Sequence, residues 1–198
     1  MSATNPRVAD YPIDSQFISR WSPRAFTGEA IPESDLRTII EAARWAPSAS
    51  NLQPWRFFYA LHGTPDFDTF LDLLVPGNQA WAKNAGALLI LASKTTNLPA
   101  GSDTPVTTRS HSFDTGAAWA YFALEAQRLG WATHAMGGFD VARTGPALNL
   151  PEDYRPEAAI AVGRKCDPSI LPENLRAREI PNGRKPQSEF TFKGGFPA

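Results

Sequence analysis

The chain has 198 residues, of which 42% are hydrophobic and 20% are charged. A chain of this length can form one domain that buries roughly 70% of the surface its unfolded state exposes, which excludes global disorder. With 19 basic and 20 acidic residues the formal net charge is −1, so no basic field predicts binding to nucleic acid. The single cysteine, Cys166, excludes an internal disulfide and a cysteine-rich zinc site, and it favours a cytoplasmic location.

Neither the first fifteen residues nor the most apolar run of the chain resembles a membrane-directed sequence. Residues 1–15 lack the apolar stretch of a secretory signal. The most apolar run, residues 85–92, is far shorter than the roughly 20 residues that cross a bilayer. We therefore expect no membrane partner.

The first half of the chain alternates between helical and strand patterns. Hydrophobic spacing and breaker residues predict a helix between Pro32 and Pro47, a strand at 55–60, a helix at 67–74 ended by Pro76 and Gly77, and a strand at 87–91.

The second half contains a long segment, residues 114–129, that is apolar on almost every side and is followed by Gly130. This pattern predicts a helix buried on most sides, in part against another subunit. A weaker helix at 141–148 and a strand at 158–162 follow. The alternation indicates an α/β or α+β fold. Residues 164–198 carry five prolines, which suits either a free tail or a tail that wraps a neighbouring subunit.

Standard catalytic and metal motifs are absent from the sequence. His62, His111 and His134 lie in different segments without a second ligand type nearby, so we expect no metal and ordinary hydrogen-bonded or surface histidines.

A short basic segment is the first candidate binding site. Pro23 favours an extended backbone before it, and alternate residues of an extended segment point to one side. Arg20, Ser22 and Arg24 would then converge and could bind an anionic ligand. Taken alone, a solvated basic loop is the competing interpretation.

Three further segments could contribute to such a site. The turn from Pro47 to Trp55 presents hydroxyl, amide and backbone groups, Gly137 and Gly138 allow close approach of a flat ring, and Arg184 and Lys185 add two cations. Each has an ordinary alternative: a helix-stop turn, a glycine turn and a solvated pair of charges.

In this order the segments resemble the FMN-dependent nitroreductase family. The resemblance covers about residues 19–190 and rests on SRWSPRAF, EAARWAPSASNLQPWRF, GNQAWAKNAGALLIL, LEAQRLG, THAMGGFD, AVGR and GRKPQSEF. It implies an α+β fold with a central, mostly antiparallel sheet flanked by helices. It also implies one domain over residues 1–198, an intertwined homodimer with residues 164–198 extended across it, and FMN sites at the subunit interface.

The resemblance also assigns roles to residues. Arg20 and Arg184 look like phosphate ligands, Trp21 and Ser22 like contacts to the ribityl chain or phosphate, and Arg24 like the cation at the pyrimidine edge of the flavin. Asn182 stands where the family often has a second cation, so Lys185 is the candidate to assist Arg184.

Other positions would surround the flavin ring. The resemblance implies that Asn78 bonds the ring and that the backbone of Gly137 and Gly138 faces its reactive N5 edge. It implies that the partner subunit supplies a stretch consisting of Pro47, Ser48, Ala49, Ser50 and Asn51. The polar connection 93–113 lies where the family builds its substrate cover.

The implied function is a ping-pong oxidoreductase for small molecules. NAD(P)H would deliver hydride to flavin N5, and a nitroaromatic or quinone-type acceptor would then take it up. Arg24 would tune the flavin by stabilising its reduced anion, and no catalytic side chain is required. The alternatives are another flavin reaction, such as dehalogenation, flavin fragmentation or ring oxidation, or a non-catalytic FMN-binding protein.

Overall fold

A computed structural model describes residues 6–196; the first five and last two residues of the predicted domain lie outside it. The helices within this range are α1 Ser15–Ser19, α2 Glu33–Arg44, α3 Pro65–Asp72, α4 Pro76–Ala82, α5 His111–Arg128, α6 Val141–Ala147 and α7 Glu173–Arg176. The strands are β1 Trp55–Leu61, β2 Ala87–Lys94, β3 Thr96–Asn97, β4 Val106–Thr107, β5 Ala132–Met136 and β6 Tyr154–Gly163.

Four strands form one antiparallel sheet in the order β1-β2-β6-β5, and β3 and β4 form a separate two-stranded ribbon. β2 lies in the middle of the sheet and is buried on both faces, which explains its continuous apolar run. The predicted α+β class with an antiparallel sheet flanked by helices is confirmed.

The alternating residues of β2 contribute to two separate cores. Leu89 and Leu91 pack beneath α2 and α5, in a cluster that includes Phe122 and Trp131. Leu88 and Ile90 face the opposite side, which is covered by α3, α4 and the loop before α2. Here the buried aromatic residues are Phe26, Phe67, Phe70, Trp81 and Phe139. This is the two-residue side-chain period of a strand with helices on both faces.

The prediction that Pro76 and Gly77 end a helix was wrong. α3 already ends at Asp72, and Pro76 begins α4 instead. Proline is favoured in the first helical turn, where the amide that it lacks would have no helical partner. Asn78, which without the resemblance would be a turn residue, therefore lies on a helix.

The long helix α5 is buried on its inner face only. Along its outer face Phe113 is 82% exposed and Tyr121 is 42% exposed, and Gly116 and Ala120 are exposed between them. The spacing of these four residues makes a stripe on one side of the helix. This stripe is where the predicted second subunit would pack.

The C-terminal segment divides into two parts. Lys165 pairs with Phe26, Leu171 is buried in the core, and Glu179 is buried against the segment before α2, so residues 164–181 pack on their own chain. Residues 182–196 are exposed. Among the described residues, no helix has the length and apolar character needed to cross a membrane.

Candidate functional site

Five of the predicted site residues line one cavity of about 210 Å³, which we term the arginine cavity. They are Arg20, Trp21, Ser22, Arg24 and Arg184. The lining is completed by Arg7, His134, Arg178, Ile180 and Asn182. None of the described residues that line it is an aspartate or glutamate.

The basic segment reaches the cavity because α1 ends just before it. Arg20 is the C-cap of α1 and has an extended backbone, with φ −69° and ψ 123°. The Nη1 of Arg20 donates to the Oγ of Ser22 across 3.4 Å, so the two side chains lie together as the alternation predicted. Downstream, the ring of Phe26 lies where a Cβ on Gly163 would be only 2.8 Å away, so a glycine there lets Phe26 anchor the segment.

The guanidinium groups of the cavity repel one another. Burial lowers the pKa of Arg20, and the nearby charge of Arg184 lowers it further. The pKa of Arg7 is lowered by burial, then by Arg184 and Arg20. Positive groups this close, without a carboxylate in the lining, are suited to bind a multiply charged anion such as a phosphate.

Arg24 is held by a buried acid that the sequence did not reveal. The Oε1 of Glu179, a residue only 5% exposed, accepts hydrogen bonds from the backbone nitrogens of Arg24 (2.6 Å) and Ala25 (2.8 Å). The Oε2 lies 3.7 Å from the Nη1 of Arg24. Burial nevertheless lowers the pKa of Arg24, and the charge of Glu179 opposes that shift. Glu179 therefore fixes the backbone and partly offsets the charge of Arg24.

His134, on β5, forms the floor of the cavity. Its Nδ1 donates to the carbonyl oxygen of Pro23 at 2.9 Å, because a carbonyl can only accept. Burial lowers its pKa to about 4, and the charges of Arg24 and Arg20 act in the same direction. The imidazole is thus neutral near pH 7. Like His62 and His111 it is hydrogen-bonded, as predicted, but its place in the cavity was not predicted.

Asn78 and Gly138 meet at the end of β5. The Nδ2 of Asn78 donates to the carbonyl of Gly138 at 2.9 Å, and the amide of Val75 donates to the same carbonyl at 3.1 Å. A Cβ on Gly138 would lie 2.7 Å from that Nδ2, so this close contact requires glycine. Gly137 has open space where its Cβ would be.

The Pro47–Asn51 stretch has an unusual backbone. Ser50, Asn51 and Gln53 all have positive φ, between 49° and 55°, a conformation that costs energy for residues other than glycine. The stretch is tied to α5 by Asp114, whose Oδ2 accepts from the amide of Ala49 at 3.1 Å and from the hydroxyl of Ser110 at 2.9 Å. Strained backbone of this kind often occurs at ligand sites.

Within one chain the predicted residues therefore form three groups. The arginine cavity is one, Asn78 with Gly137 and Gly138 is the second, and Pro47, Ser48, Ala49, Ser50 and Asn51 are the third. β5 connects the first two, since His134 lies in the cavity and Gly137 directly follows the strand. Lys185 is in none of them: its Nζ pairs with Glu189 at 3.2 Å, and its side chain lines a different groove.

The sequence did not reveal that Arg7 and His134 line the cavity or that Glu179 lies behind it against Arg24. Nothing in the local sequence marks them, because His134 contacts Pro23 across 111 residues and Glu179 contacts Arg24 across 155. Only the fold brings these pairs together.

Comparison with known proteins identifies the family of the chain. The sequence profile described as the nitroreductase family matches residues 18–164. A crystal structure described as an oxidoreductase containing FMN superposes with a TM-score of 0.95 at 44% identity, covering 100% of this chain and 99% of that one. A nitroreductase family protein of Streptococcus pneumoniae has the same fold, with a TM-score of 0.69 at 21% identity, over 88% of this chain and 96% of its own.

Two further relatives match over much of the chain by sequence. A Streptomyces coelicolor protein, provisionally named an NADH dehydrogenase/NAD(P)H nitroreductase, is 24% identical over 85% of this chain and 90% of its own length. An uncharacterized 15.4 kDa protein of Mycolicibacterium smegmatis is 33% identical over 65% of this chain and 82% of its own. Since the family profile spans most of the chain and the fold agrees throughout, the chain belongs to the nitroreductase family.

Proposed function

We propose that the protein is an FMN-dependent oxidoreductase that uses NAD(P)H to reduce nitroaromatic or quinone-type acceptors. The observation that carries the proposal is the arginine cavity, where several guanidinium groups converge without an acid in the lining. Family membership and the similar oxidoreductase described as containing FMN support the same choice of cofactor.

The cavity suits the phosphate end of FMN. Arg20 and Arg184 provide planar groups with several donors, which match phosphate oxygens well. Ser22 adds a hydroxyl between them, and Trp21 adds an aromatic wall. A neutral His134 fits beside the ribityl hydroxyls, because an imidazole without charge can accept as well as donate hydrogen bonds.

The second group suits the flavin ring. From His134 to Gly137 the chain advances about 10 Å, at roughly 3.3 Å per residue. Gly137 and Gly138 expose backbone at that end, and Asn78 is fixed beside them by its bond to Gly138. We assign Arg24 to the pyrimidine edge of the ring, as the resemblance implies. It lines the cavity and carries a charge that Glu179 only partly offsets.

When bound, FMN supplies the hydride chemistry, which needs no nucleophile or general base from the protein. The protein would bind FMN and orient it. The guanidinium of Arg24 would lie where it could stabilise the negative charge of the reduced cofactor, which would favour hydride transfer to the cofactor. Its buried partner Glu179 holds the backbone of Arg24 in place.

We further propose that the functional unit is a homodimer. The exposed stripe on α5 is an apolar surface that a second copy would cover. The strained Pro47–Asn51 stretch at the N-terminus of α5 does not line the cavity of its own chain. In a dimer that pairs the α5 helices, it would contact the cofactor of the partner.

Steady-state kinetics on protein reconstituted with FMN test the activity. We expect NADH or NADPH to be oxidised in the presence of a quinone or a nitroaromatic, with parallel lines in double-reciprocal plots. Apoprotein given riboflavin in place of FMN is the control. Tight FMN binding without oxidation of either nucleotide would contradict the reductase and support a binding protein. Turnover only with halogenated or other substrates would support a different flavin reaction.

A further inference from the structure

Arg7 lies on a segment that precedes the part of the chain matched by the family profile, residues 18–164. We term residues 6–14, which run ahead of α1, the N-terminal arm. Arg7 nevertheless lines the arginine cavity together with Arg20 and Arg184. The cavity therefore receives cations from three separate parts of the chain.

Arg7 ties those parts together through backbone carbonyls. Its Nε donates to the carbonyl of Asn182 on the C-terminal segment at 2.7 Å. Its Nη1 donates to the carbonyls of Ile18 at 3.1 Å and Arg20 at 2.6 Å, at the end of α1. A planar guanidinium can make these bonds at once because its donors are fixed in a fork. The position of Arg7 is thus defined by the two segments that also carry Arg20 and Arg184.

A second contact joins the N-terminal arm to the C-terminal segment. The amide of Gln187 donates to the Oδ2 of Asp10 at 3.1 Å. The other acid of the arm, Asp14, accepts from the amide of Gln16 and caps α1. Both acids of the arm are thus engaged with backbone amides.

Placing a third guanidinium beside two others has an electrostatic cost. The charges of Arg184 and Arg20 both add to burial in lowering the pKa of Arg7. A bound dianion would relieve this repulsion, and a phosphate monoester can accept charge-assisted hydrogen bonds from several guanidinium groups.

We propose that Arg7 is a third phosphate-binding cation. In this proposal the N-terminal arm holds Arg7 at the cavity, a role that we term the clasp, so that the site binds phosphorylated flavin in preference to riboflavin. The proposal rests on the proposed FMN function. It adds to the phosphate contacts of Arg20 and Arg184 a third cation, from outside the matched segment.

Titration of apoprotein with FMN and with riboflavin, followed by quenching of flavin fluorescence, tests the role of Arg7. The variants are Arg7→Gln, Arg184→Gln and the double variant. We expect Arg7→Gln to weaken FMN binding by about tenfold and to leave riboflavin binding unchanged. The double variant should bind FMN more weakly than Arg184→Gln, because Arg7 would still contribute a contact of its own to the phosphate. The two losses need not add fully in free energy, since both groups face the same ligand.

The controls separate the possible failures. Arg143→Gln removes an exposed arginine that pairs with Asp72 away from the cavity, and it should bind both flavins as the wild type does. A double variant no weaker than Arg184→Gln would show that Arg7 only holds the C-terminal segment, which overturns the proposal. Equal losses for FMN and riboflavin would overturn it too. Wild-type protein that binds neither flavin would overturn the proposed function as well.

Limited proteolysis tests the clasp without any substitution. Trypsin can cleave the wild-type chain after Arg7, at the start of the exposed Val8. We expect FMN to slow this cut by about tenfold and riboflavin to leave its rate unchanged, since the phosphate would add a further contact that keeps Arg7 from leaving its carbonyl partners to enter the protease. Equal cleavage rates with FMN, with riboflavin and without ligand would contradict the clasp.

Discussion

Arg20 and Arg184 reach the same cavity from segments far apart in the chain, and each presents a guanidinium to it. A hydrogen bond to a charged group contributes roughly 1.5 to 3 kcal/mol. Arg20→Ala should therefore weaken FMN binding by about tenfold or more, while riboflavin binding changes little. Calorimetric titration of the two ligands measures both constants. Equal losses of affinity for the two flavins would show that Arg20 does not contact the phosphate.

Arg24 and Glu179 form a matched pair for testing how the protein tunes the flavin. If the charge of Arg24 stabilises the reduced anion, Arg24→Gln should lower the flavin midpoint potential, by about 30 mV for each 1.4 kcal/mol lost. Glu179→Gln should raise it, because the carboxylate opposes that charge from 3.7 Å. Reductive titration against a reference dye reports both. An unchanged midpoint potential in Arg24→Gln, together with weaker FMN binding, would show that Arg24 binds FMN without tuning its potential.

His134 predicts a pH dependence of stability. Its folded pKa of about 4 lies below the unfolded value of about 6.5, so the unfolded chain binds more protons between these values. The contribution of His134 to the free energy of unfolding should be fully present above pH 6.5 and be lost as the pH drops toward 4. It amounts to about 3 kcal/mol in total. Urea unfolding at several pH values measures the slope.

The substitution His134→Gln should remove that part of the slope, since glutamine does not titrate. The charged groups that face the ring, Arg20 and Arg24, keep their charge throughout this range. A slope identical to that of the wild type would show that His134 is not the titrating group.

At the scale of elements, α5 and the strained Pro47–Asn51 stretch are coupled through Asp114, which is 3% exposed. Asp114→Ala would leave the amide of Ala49 and the hydroxyl of Ser110 without this acceptor. We expect it to lower the free energy of unfolding by roughly 1.5 to 3 kcal/mol and to weaken FMN binding. Ser110→Ala, which keeps the bond to Ala49, is the matched control and should retain binding. Loss of stability with unchanged FMN affinity in Asp114→Ala would contradict a binding role for the stretch.

Elements with a strong period were predictable from the sequence, and short or ambiguous ones were not. The helices α2 and α5 and the strands β1 and β2 lie where the hydrophobic pattern placed them, within a few residues. α4 was missed because proline both ends and begins helices, so Pro76 alone cannot distinguish the two. The hydrophobic pattern does not predict β5, because this strand is only five residues long and its polar Thr133 is buried, so apolar and polar residues do not alternate with burial.

The site was predictable only where its residues are close in sequence. Arg20, Ser22 and Arg24 converge because of local extended geometry, which alternation captures. Glu179 contacts Arg24 across 155 residues. Arg7 is placed by bonds to the carbonyls of Arg20, 13 residues away, and Asn182, 175 residues away, and no local pattern encodes either position. The resemblance supplied Arg184 at the cavity. Arg184 also lines the neighbouring groove that Lys185 lines, whereas Lys185 does not reach the cavity and pairs with Glu189 instead.

For the whole molecule, the proposed cofactor site depends on two copies of the chain that pack through one surface. The outer face of α5 exposes Phe113 and Tyr121, and Ala120 between them is exposed. Ala120→Glu would place a charge on this face without disturbing the core of a single chain. It therefore tests association separately from folding.

Sedimentation equilibrium of FMN-reconstituted protein, followed by the visible absorbance of the flavin, tests whether the cofactor site belongs to a homodimer. We expect the flavin to sediment with the mass of two chains at micromolar concentration, with one FMN per chain. Ala120→Glu should shift the protein toward folded monomers that lose FMN. A wild-type protein that sediments as a folded monomer with FMN bound would contradict the proposed homodimer.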